Sequence, residues 1–308
     1  MGEANEQREI WRRSSRLQAE VVPVKPETRL IVTDLDGTLL RSDQRLSQYS
    51  VRVLNAAIGA GMAVTYATAR SHYAARDLLS EVRFQLPAVV YNGAFVVRPD
   101  NGARLVGNLL DRVIAAEVVA KGTLMGVPPF VFGFAHDLEV VVHAAPVNEG
   151  QHTWLRRRVA MGDGRLTQVA KIALPSDVVE AKFIARPSEL TDLATWVRAT
   201  FSDHVATSLI SDTYSPGYCE FTVHHSHANK RDAVCWIAEH VGVPLSAVTA
   251  IGDNHNDLPM FEVVGHRLAV ANAQVEVLAA AHEVLRSNDQ DGVADYLERT
   301  LGLSGSLR

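Results

Sequence analysis

A short apolar segment that ends in two closely spaced carboxylates constrains this chain more than any other feature. Leu30–Thr33 is rich in β-branched residues, which predicts a buried strand, and Asp34 and Asp36 follow it with Gly37 behind them. Because side chains alternate along a strand, both carboxylates can point from its C-terminal end toward one place. Two such groups beside a glycine turn suit a divalent cation and a nucleophile, although this segment alone fits an ordinary acidic turn equally well.

Polar residues also follow the other predicted strands. Thr68, Asn92 and Asp253 each come shortly after an apolar run, and Lys230 opens a predicted helix, where the N-terminus favours an anion. The three runs are 62–66, 88–91 and 248–251. Strands that alternate with helices predict a parallel sheet, and ligands of such sheets bind beyond the carboxyl ends of the strands. We therefore predict an α/β fold with its site at that edge.

The middle of the chain has a different rhythm. Phe130–Phe134 and Glu139–His143 flank a short connection around His136 and Asp137, which predicts a β-hairpin. Antiparallel strands mixed with helices, inserted between two parts of a parallel-sheet domain, indicate a separate α+β unit. The predicted domains are a mobile polar tail over 1–28, a core over 29–110 and 218–308, and an α+β insert over 111–217.

Composition excludes several classes of protein. The 308 residues are 47% apolar and carry a formal net charge of -5, which argues against a dedicated surface for nucleic acid or anionic membrane. No apolar run approaches the ~18 residues that a membrane span needs. Cys219 and Cys235 fit neither a disulfide framework nor a zinc site, so we expect a cytoplasmic location. The sequence leaves open whether the chain forms a homodimer.

Four motifs in a fixed order resemble those of the haloacid dehalogenase superfamily of phosphohydrolases. They are Asp34-Leu35-Asp36-Gly37-Thr38, then Thr68, then Lys230, then Gly252-Asp253-Asn254-His255-Asn256-Asp257. Three further segments resemble the Cof-type subfamily, namely Tyr91-Asn92-Gly93-Ala94, Ala271-Asn272-Ala273 and residues 287–294. The resemblance covers about residues 29 to 300 and implies a Rossmann-like core with a large α+β cap between the Thr and Lys motifs.

The resemblance implies a role for each motif residue. Asp34 would be the nucleophile that forms an aspartyl-phosphate, and Asp36 the general acid and then the general base. Mg²⁺ would be held by the side chains of Asp34 and Asp253 and by the backbone carbonyl of Asp36. The implied phosphate ligands are Thr68, Lys230, Asn256 and the N–H groups of Leu35 and Ala69. The implied supporting residues are Asp257, which would orient Lys230 or a metal-bound water, together with Asn92 and Arg70.

The chain departs from the family pattern at two places. Ala69 stands where members usually have Gly, and a positive φ there would cost alanine about 1 kcal/mol or more, so we expect a small backbone adjustment. Asn229-Lys230-Arg231 replaces the usual Ser-Lys-Gly, which keeps the lysine and changes the residues around it.

Several functions fit the motifs. We predict a Mg²⁺-dependent phosphatase of small phosphorylated metabolites, with sugar phosphates first and nucleotide or cofactor phosphates after them. A hexose-phosphate phosphomutase and a non-catalytic phosphate-binding regulatory protein are the alternatives, and a receiver-type signalling module is too short to match. His224, His225 and His227 suggest a metal site, but no Cys or His cluster completes it, so we favour structural or substrate-proximal roles.

Overall fold

The computed structural model describes residues 29–212, 214–303 and 307, so the predicted tail at 1–28 lies outside the described residues. The strands are β1 Leu30–Thr33, β2 Ala63–Tyr66, β3 Ala88–Val90, β4 Phe95–Val97, β5 Arg104–Gly107, β6 Phe130–Ala135, β7 Leu138–His143, β8 Leu166–Gln168, β9 Asp177–Ala185, β10 Val205–Ser211, β11 Cys219–His225, β12 Val248–Gly252, β13 His266–Val270 and β14 Glu283–Leu285. The α-helices are α1 Gln48–Gly59, α2 His72–Arg76, α3 Arg112–Leu124, α4 Glu149–Ala160, α5 Pro187–Phe201, α6 Lys230–Val241, α7 Leu258–Phe261, α8 Val275–Ala280 and α9 Gly292–Thr300.

The chain divides into two compact units. The second unit is Asn108–His227, and the first unit contains the described residues on either side of it. The predicted insert began within three residues of this boundary but ended at 217, ten residues before the observed end. The reason is β11, which pairs with β9 and β10 and therefore belongs to the sheet of the second unit.

A five-stranded parallel sheet organises the first unit, in the order β14-β13-β12-β1-β2. All four residues of β1 are buried, as its unbroken apolar pattern predicts for a strand covered on both faces. The chain leaves β1 toward β2 on one side and later adds β12 on the other, so the order reverses between β1 and β12. That reversal marks the position where ligands of such sheets bind.

The strand that precedes Asn92 differs from the prediction. β3 was expected to continue the parallel sheet, but it pairs antiparallel with β4 in a separate three-stranded sheet, β3-β4-β5. One parallel bridge between Ala67 and Val89 still joins it to the end of β2. Antiparallel pairing with a strand that follows five residues later requires only a short turn, and residue periodicity does not distinguish it from parallel pairing.

Helix signals in the sequence correspond to helices in the structure. Ser47 caps α1 by accepting the N–H of Ser50 at 2.9 Å. Helix α6 begins at Lys230 behind Asn229, whose side chain accepts the N–H of Asp232, and it ends at Gly242 in the left-handed region. The apolar stripe of α6 is buried against the parallel sheet and consists of Val234, Ile237, Ala238 and Val241. A core-facing stripe and two caps therefore fix where Lys230 lies.

The second unit contains a six-stranded sheet in the order β10-β11-β9-β6-β7-β8, antiparallel except for the β7–β8 pair. The predicted hairpin is confirmed as β6–β7, and His136 and Asp137 adopt φ of 50° and 66° in its two-residue turn. Phe183 and Phe221 belong to the apolar cluster that α3 and α5 cover on this sheet. Parallel α/β and antiparallel α+β units agree with the predicted fold class.

Among the described residues, every helix is too short or too polar to cross a membrane.

Candidate active site

Backbone pairing brings the carboxyl ends of β1, β12 and β2 together in the first unit. Asp34 continues the ladder of β1 by donating its N–H to Ile251 O at 2.9 Å, which places it beside the start of the Asp253 loop. Thr68 donates its N–H to Val89 O at 3.0 Å and accepts the N–H of Asn92 on its carbonyl at 2.9 Å. These backbone hydrogen bonds account for the position of Asp34, Thr68 and Asn92 at one edge of the first unit.

A buried lysine lies between two carboxylates at the centre of this edge. Lys230 Nζ donates to Asp34 Oδ1 at 2.5 Å and to Asp257 Oδ1 at 2.6 Å. The side chains of Lys230 and Asp257 have no exposed surface, and that of Asp34 is 8% exposed. Charges this deeply buried need partners with good geometry, since leaving water costs each ion several kcal/mol. The three side chains therefore depend on one another.

Gly93 allows the backbone to approach this lysine. It has a φ of +101°, and a Cβ placed on it would lie 2.0 Å from the carbonyl oxygen of Asn229, the residue before Lys230. Glycine is thus required both by its left-handed conformation and by the close contact. The Tyr91-Asn92-Gly93-Ala94 segment, which the sequence offered only as a family resemblance, holds the start of α6 in place.

The proton affinities of the site reflect its burial and its density of charge. Desolvation raises the pKa of Asp34 well above its ordinary value, against the opposing effect of Lys230, and Asp257 and Asp253 raise it further. Desolvation likewise raises the pKa of Asp253 to about 6, although the Thr38 hydroxyl opposes it. Burial alone would lower the pKa of Lys230, but Asp257 and Asp34 raise it above its ordinary value. The lysine is therefore a permanent cation here.

The loop after β12 is folded around Asp257. Its Oδ2 accepts the N–H groups of Asp253 at 2.9 Å and Asn254 at 3.0 Å, while its Oδ1 holds Lys230. Asp253 is oriented further by the Thr38 hydroxyl, which donates to its Oδ1 at 2.6 Å. One carboxylate thus fixes both a cation and the loop that carries another carboxylate.

The donor set fits a hard divalent cation. Asp34, Asp253 and Asp257 offer carboxylate oxygens that all lie within 4.8 Å of one another, and they form the one such group of His, Cys, Asp or Glu in the part of the chain that the structure describes. Asp34 Oδ1 accepts a hydrogen bond from Lys230, and Asp253 Oδ1 accepts one from Thr38. The Oδ2 atom of each aspartate is therefore available to a ligand. Oxygen-only donors of this kind suit Mg²⁺ or Ca²⁺.

Asp36 lies beside the cluster and is held by an arginine. Arg70 Nε donates to Asp36 Oδ2 at 2.7 Å and Nη2 donates to Asp36 Oδ1 at 2.6 Å. Asn256 Nδ2 donates to Asn92 Oδ1 at 3.1 Å, which joins two more predicted residues. The roles assigned to these residues stay predictions, but the structure brings their side chains to the same end of the sheet.

The two departures from the family pattern leave this geometry intact. Ala69 is outside the left-handed region, so the alanine carries none of the strain that a positive φ would bring, and no backbone adjustment is needed. Arg231 lies on the exposed side of α6, where it pairs with Glu262 at 3.2 Å.

Sequence reasoning assigned no role to three residues that support the site. Thr38 orients Asp253, Gln44 accepts from Arg70 Nη2 at 3.2 Å, and Asn272 Nδ2 donates to Gly37 O at 2.7 Å. Thr38 and Asn272 stand inside segments that carried the resemblance, which was an available signal. Gln44 stands in no motif, and its contact depends on a loop conformation with φ of 63°.

The three histidines His224, His225 and His227 contact one another through backbone and ring atoms. His224 Nδ1 lies 3.1 Å from His225 O, and the N–H of His227 donates to His225 Nδ1 at 3.0 Å. Burial lowers the pKa of His224 and of His225. None of the three belongs to the acidic group described above, and their non-ligand roles stay a prediction.

The chain belongs to the haloacid dehalogenase-like hydrolases, since the model of that family matches residues 31–297. This confirms the superfamily and Cof-type resemblance predicted from the motifs.

Individual relatives are similar along nearly their whole length. One is 5-amino-6-(5-phospho-D-ribitylamino)uracil phosphatase YwtE of Bacillus subtilis, 26% identical over 296 residues, covering 89% of this chain and 98% of the relative. Another is HMP-PP phosphatase of Serratia proteamaculans, 28% identical, covering 89% and 95%. A solved haloacid dehalogenase-like hydrolase from Bacteroides thetaiotaomicron superposes with a TM-score of 0.75 at 21% identity, covering 89% of this chain and all of that one, and confirms the fold.

Removal of Lys230 should destabilise the first unit strongly. Lys230→Met leaves Asp34 and Asp257 buried without their cation, which should lower the free energy of unfolding by about 3–5 kcal/mol. Asp257→Asn in the same chain should restore part of the loss, because it removes one of the two orphaned charges. Urea unfolding in metal-free buffer measures both effects.

The matched control for this prediction is Arg231→Met, one residue further along α6, where the side chain is 51% exposed. Its effect should stay within about 0.5 kcal/mol. A Lys230→Met loss no larger than that of the control would contradict a structural role for the buried charges.

Proposed function

We propose that this protein is a Mg²⁺-dependent phosphatase that hydrolyses small phosphorylated metabolites, sugar phosphates first, through an aspartyl-phosphate on Asp34. The observation that carries the proposal is the position of Asp34, which directly follows β1 and lies beside both the Lys230 ammonium and the Asp253 carboxylate. A nucleophile needs an accessible oxygen beside fixed positive charge, and this arrangement supplies both.

The predicted enzyme class, a phosphoric monoester hydrolase, is confirmed by the family together with the phosphatase names of its relatives. Those names support a small phosphorylated metabolite as the substrate of this chain. One relative is named for a phosphoribitylamino uracil and another, from Escherichia coli, for pyridoxal phosphate, so phosphorylated cofactors and phosphorylated ribityl compounds are included in the proposed class. Sugar phosphates stay a prediction.

In the first step Asp34 attacks the phosphorus of the bound ester. The bond from phosphorus to the ester oxygen breaks as the new bond to the Asp34 carboxylate oxygen forms. Asp36 gives its proton to the departing oxygen, so that an alcohol leaves rather than an alkoxide. Lys230 stays charged beside Asp34 and stabilises the negative charge on the phosphoryl oxygens.

In the second step water replaces Asp34 on phosphorus. Asp36, now deprotonated, takes a proton from that water while the bond between Asp34 and phosphorus breaks. Asp257 keeps Lys230 in place through both steps, since it holds the ammonium by one oxygen and the Asp253 loop by the other.

The side chains of Asp34 and Asp253 and the backbone carbonyl of Asp36 would hold the cation. When bound, it neutralises phosphoryl oxygens that would otherwise repel the carboxylate nucleophile. Its positive charge would also oppose the desolvation and the neighbouring carboxylates that raise the pKa values of Asp34 and Asp253.

Removal of metal should abolish turnover of p-nitrophenyl phosphate. EDTA should eliminate activity and Mg²⁺ should restore it, whereas Ca²⁺ should support it poorly because Ca²⁺ is larger and tolerates looser geometry. Asp253→Asn should raise the Mg²⁺ concentration needed for half-maximal activity, with Asp192→Asn, an exposed carboxylate, as the matched control. Full activity in a metal-free preparation would refute the assignment of Mg²⁺.

The role of Asp36 can be separated from metal binding by the choice of leaving group. Asp36→Asn should slow phosphorylation of Asp34 by a sugar phosphate about 10²–10⁴-fold, and by p-nitrophenyl phosphate much less, because p-nitrophenolate leaves without a proton. The phosphoryl-enzyme should then accumulate, since its hydrolysis lacks a base. Rapid mixing should show a burst of nitrophenolate approaching one per site, with a matching gain in protein mass.

The control for this experiment is Asp34→Asn, which should show neither the burst nor the added mass. Equal losses on both substrates, without a covalent intermediate, would mean that Asp36 does not transfer protons. Isomerisation of a hexose phosphate without phosphate release would favour the phosphomutase alternative instead.

A further inference from the structure

We propose that Arg70 is a positioning residue that aims the carboxylate of Asp36 at the leaving-group oxygen. This proposal rests on the proposed function, because it assigns a role within that reaction. The guanidinium meets the carboxylate through two parallel hydrogen bonds, from Nε at 2.7 Å and from Nη2 at 2.6 Å. A two-point contact of this type fixes the plane and direction of a carboxylate, which one donor cannot do.

Asp36 needs such a restraint because nearly half of its side chain is open to solvent. It is 47% exposed and follows the end of β1, whereas Asp34 is held by Lys230. A half-exposed aspartate on a turn populates several rotamers, and only some of them point toward the ester oxygen. Proton transfer requires an approach within hydrogen-bond distance, so each wrong rotamer reduces the rate of the first step.

Arg70 is itself anchored at both ends. Its N–H donates to Thr68 Oγ1 at 3.1 Å, and its carbonyl accepts the N–H of Tyr91 at 2.8 Å. At the far end, Nη2 donates to Gln44 Oε1 at 3.2 Å as well as to Asp36. The side chain is 19% exposed, which is low for arginine. A guanidinium fixed by backbone and side-chain contacts can transmit its own order to the carboxylate.

Gln44 lies in a tight loop that presents its amide to this arginine. Its N–H donates to Arg41 O at 2.8 Å, while Arg41 donates to Arg45 O at 3.0 Å, and Gln44 has a φ of 63°. A left-handed conformation at a non-glycine residue is uncommon and is sustained by its surroundings. A series of hydrogen bonds therefore runs from Gln44 through Arg70 to Asp36.

The contact with Arg70 leaves the Asp36 carboxylate able to carry and transfer a proton. Both Asp36 oxygens accept from the guanidinium, and each oxygen retains a further lone pair for another proton. Donation to the leaving oxygen uses a proton on one of these oxygens, after which the carboxylate returns to the two-point contact with Arg70. The same arginine thus orients Asp36 for its acid and base roles without touching the phosphorus.

The test compares two aryl esters of similar size, p-nitrophenyl phosphate and phenyl phosphate, since phenolate is the poorer leaving group and needs the proton more. In rapid mixing with Mg²⁺, Arg70→Gln should slow the release of phenol at least about tenfold more than the release of nitrophenol. KM for either ester should change by less than about threefold. Arg76→Gln, in the neighbouring helix α2 and half-exposed, is the matched control and should change neither rate.

A double-mutant cycle identifies the partner through which Arg70 acts. If it acts through Asp36, Arg70→Gln should change the rate by less than about twofold in the Asp36→Asn background. A loss that persists in this background, or an equal loss on both esters, would overturn the proposal. Failure of the Asp36→Asn protein to form any phosphoryl-enzyme from p-nitrophenyl phosphate would instead refute the proposed function, and this assignment with it.

Two conservative variants keep the test decisive if Arg70→Gln does not fold. Arg70→Lys retains the charge without the two-point contact, so it should recover only part of the rate on phenyl phosphate, and full recovery would overturn the positioning role. Gln44→Asn tolerates the left-handed conformation but shortens the side chain, so it should produce a smaller loss with the same preference between esters. An unchanged ratio in both variants would also contradict the proposal.

Discussion

The ion pairs of Lys230 with Asp34 and Asp257 are the interaction on which the first unit depends most. The lysine and Asp257 are completely buried, and the three residues come from the end of β1, the start of α6 and the loop after β12. A buried cation between two carboxylates is stable only if all three elements are correctly placed. The folded core and the position of Asp34 are therefore specified by the same contacts.

The surrounding elements can be understood as means of meeting that requirement. β1 lies between β2 and β12, which puts Asp34 beside β12 at the point where the strand order reverses, and ligands of such sheets bind beyond the carboxyl ends of the strands there. Gly93 lets the backbone come close to Asn229, so that the first residue of α6 reaches Asp34. Asp36 lies at the same end of the sheet and is more exposed than Lys230, Asp34 and Asp257, which suits the proton exchange proposed for it.

Much of this arrangement could be predicted from the sequence because its signals are local. The apolar run before Asp34 and the helix that opens at Lys230 each lie within a dozen residues. The rest depends on contacts between distant segments. The antiparallel pairing of β3, the membership of β11 in the second unit and the contact of Gln44 with Arg70 are set by neighbours that local periodicity does not reveal.

The most direct test of the central claim, attack by Asp34 rather than by water, is the stereochemical course at phosphorus. Each in-line displacement inverts the phosphorus, so transfer to Asp34 followed by hydrolysis gives net retention, whereas direct attack by water gives inversion. The measurement uses a phosphate ester whose phosphorus is made chiral with oxygen isotopes, with transfer to an alcohol acceptor in place of water. Retention is the predicted result, and inversion would contradict an aspartyl-phosphate on Asp34.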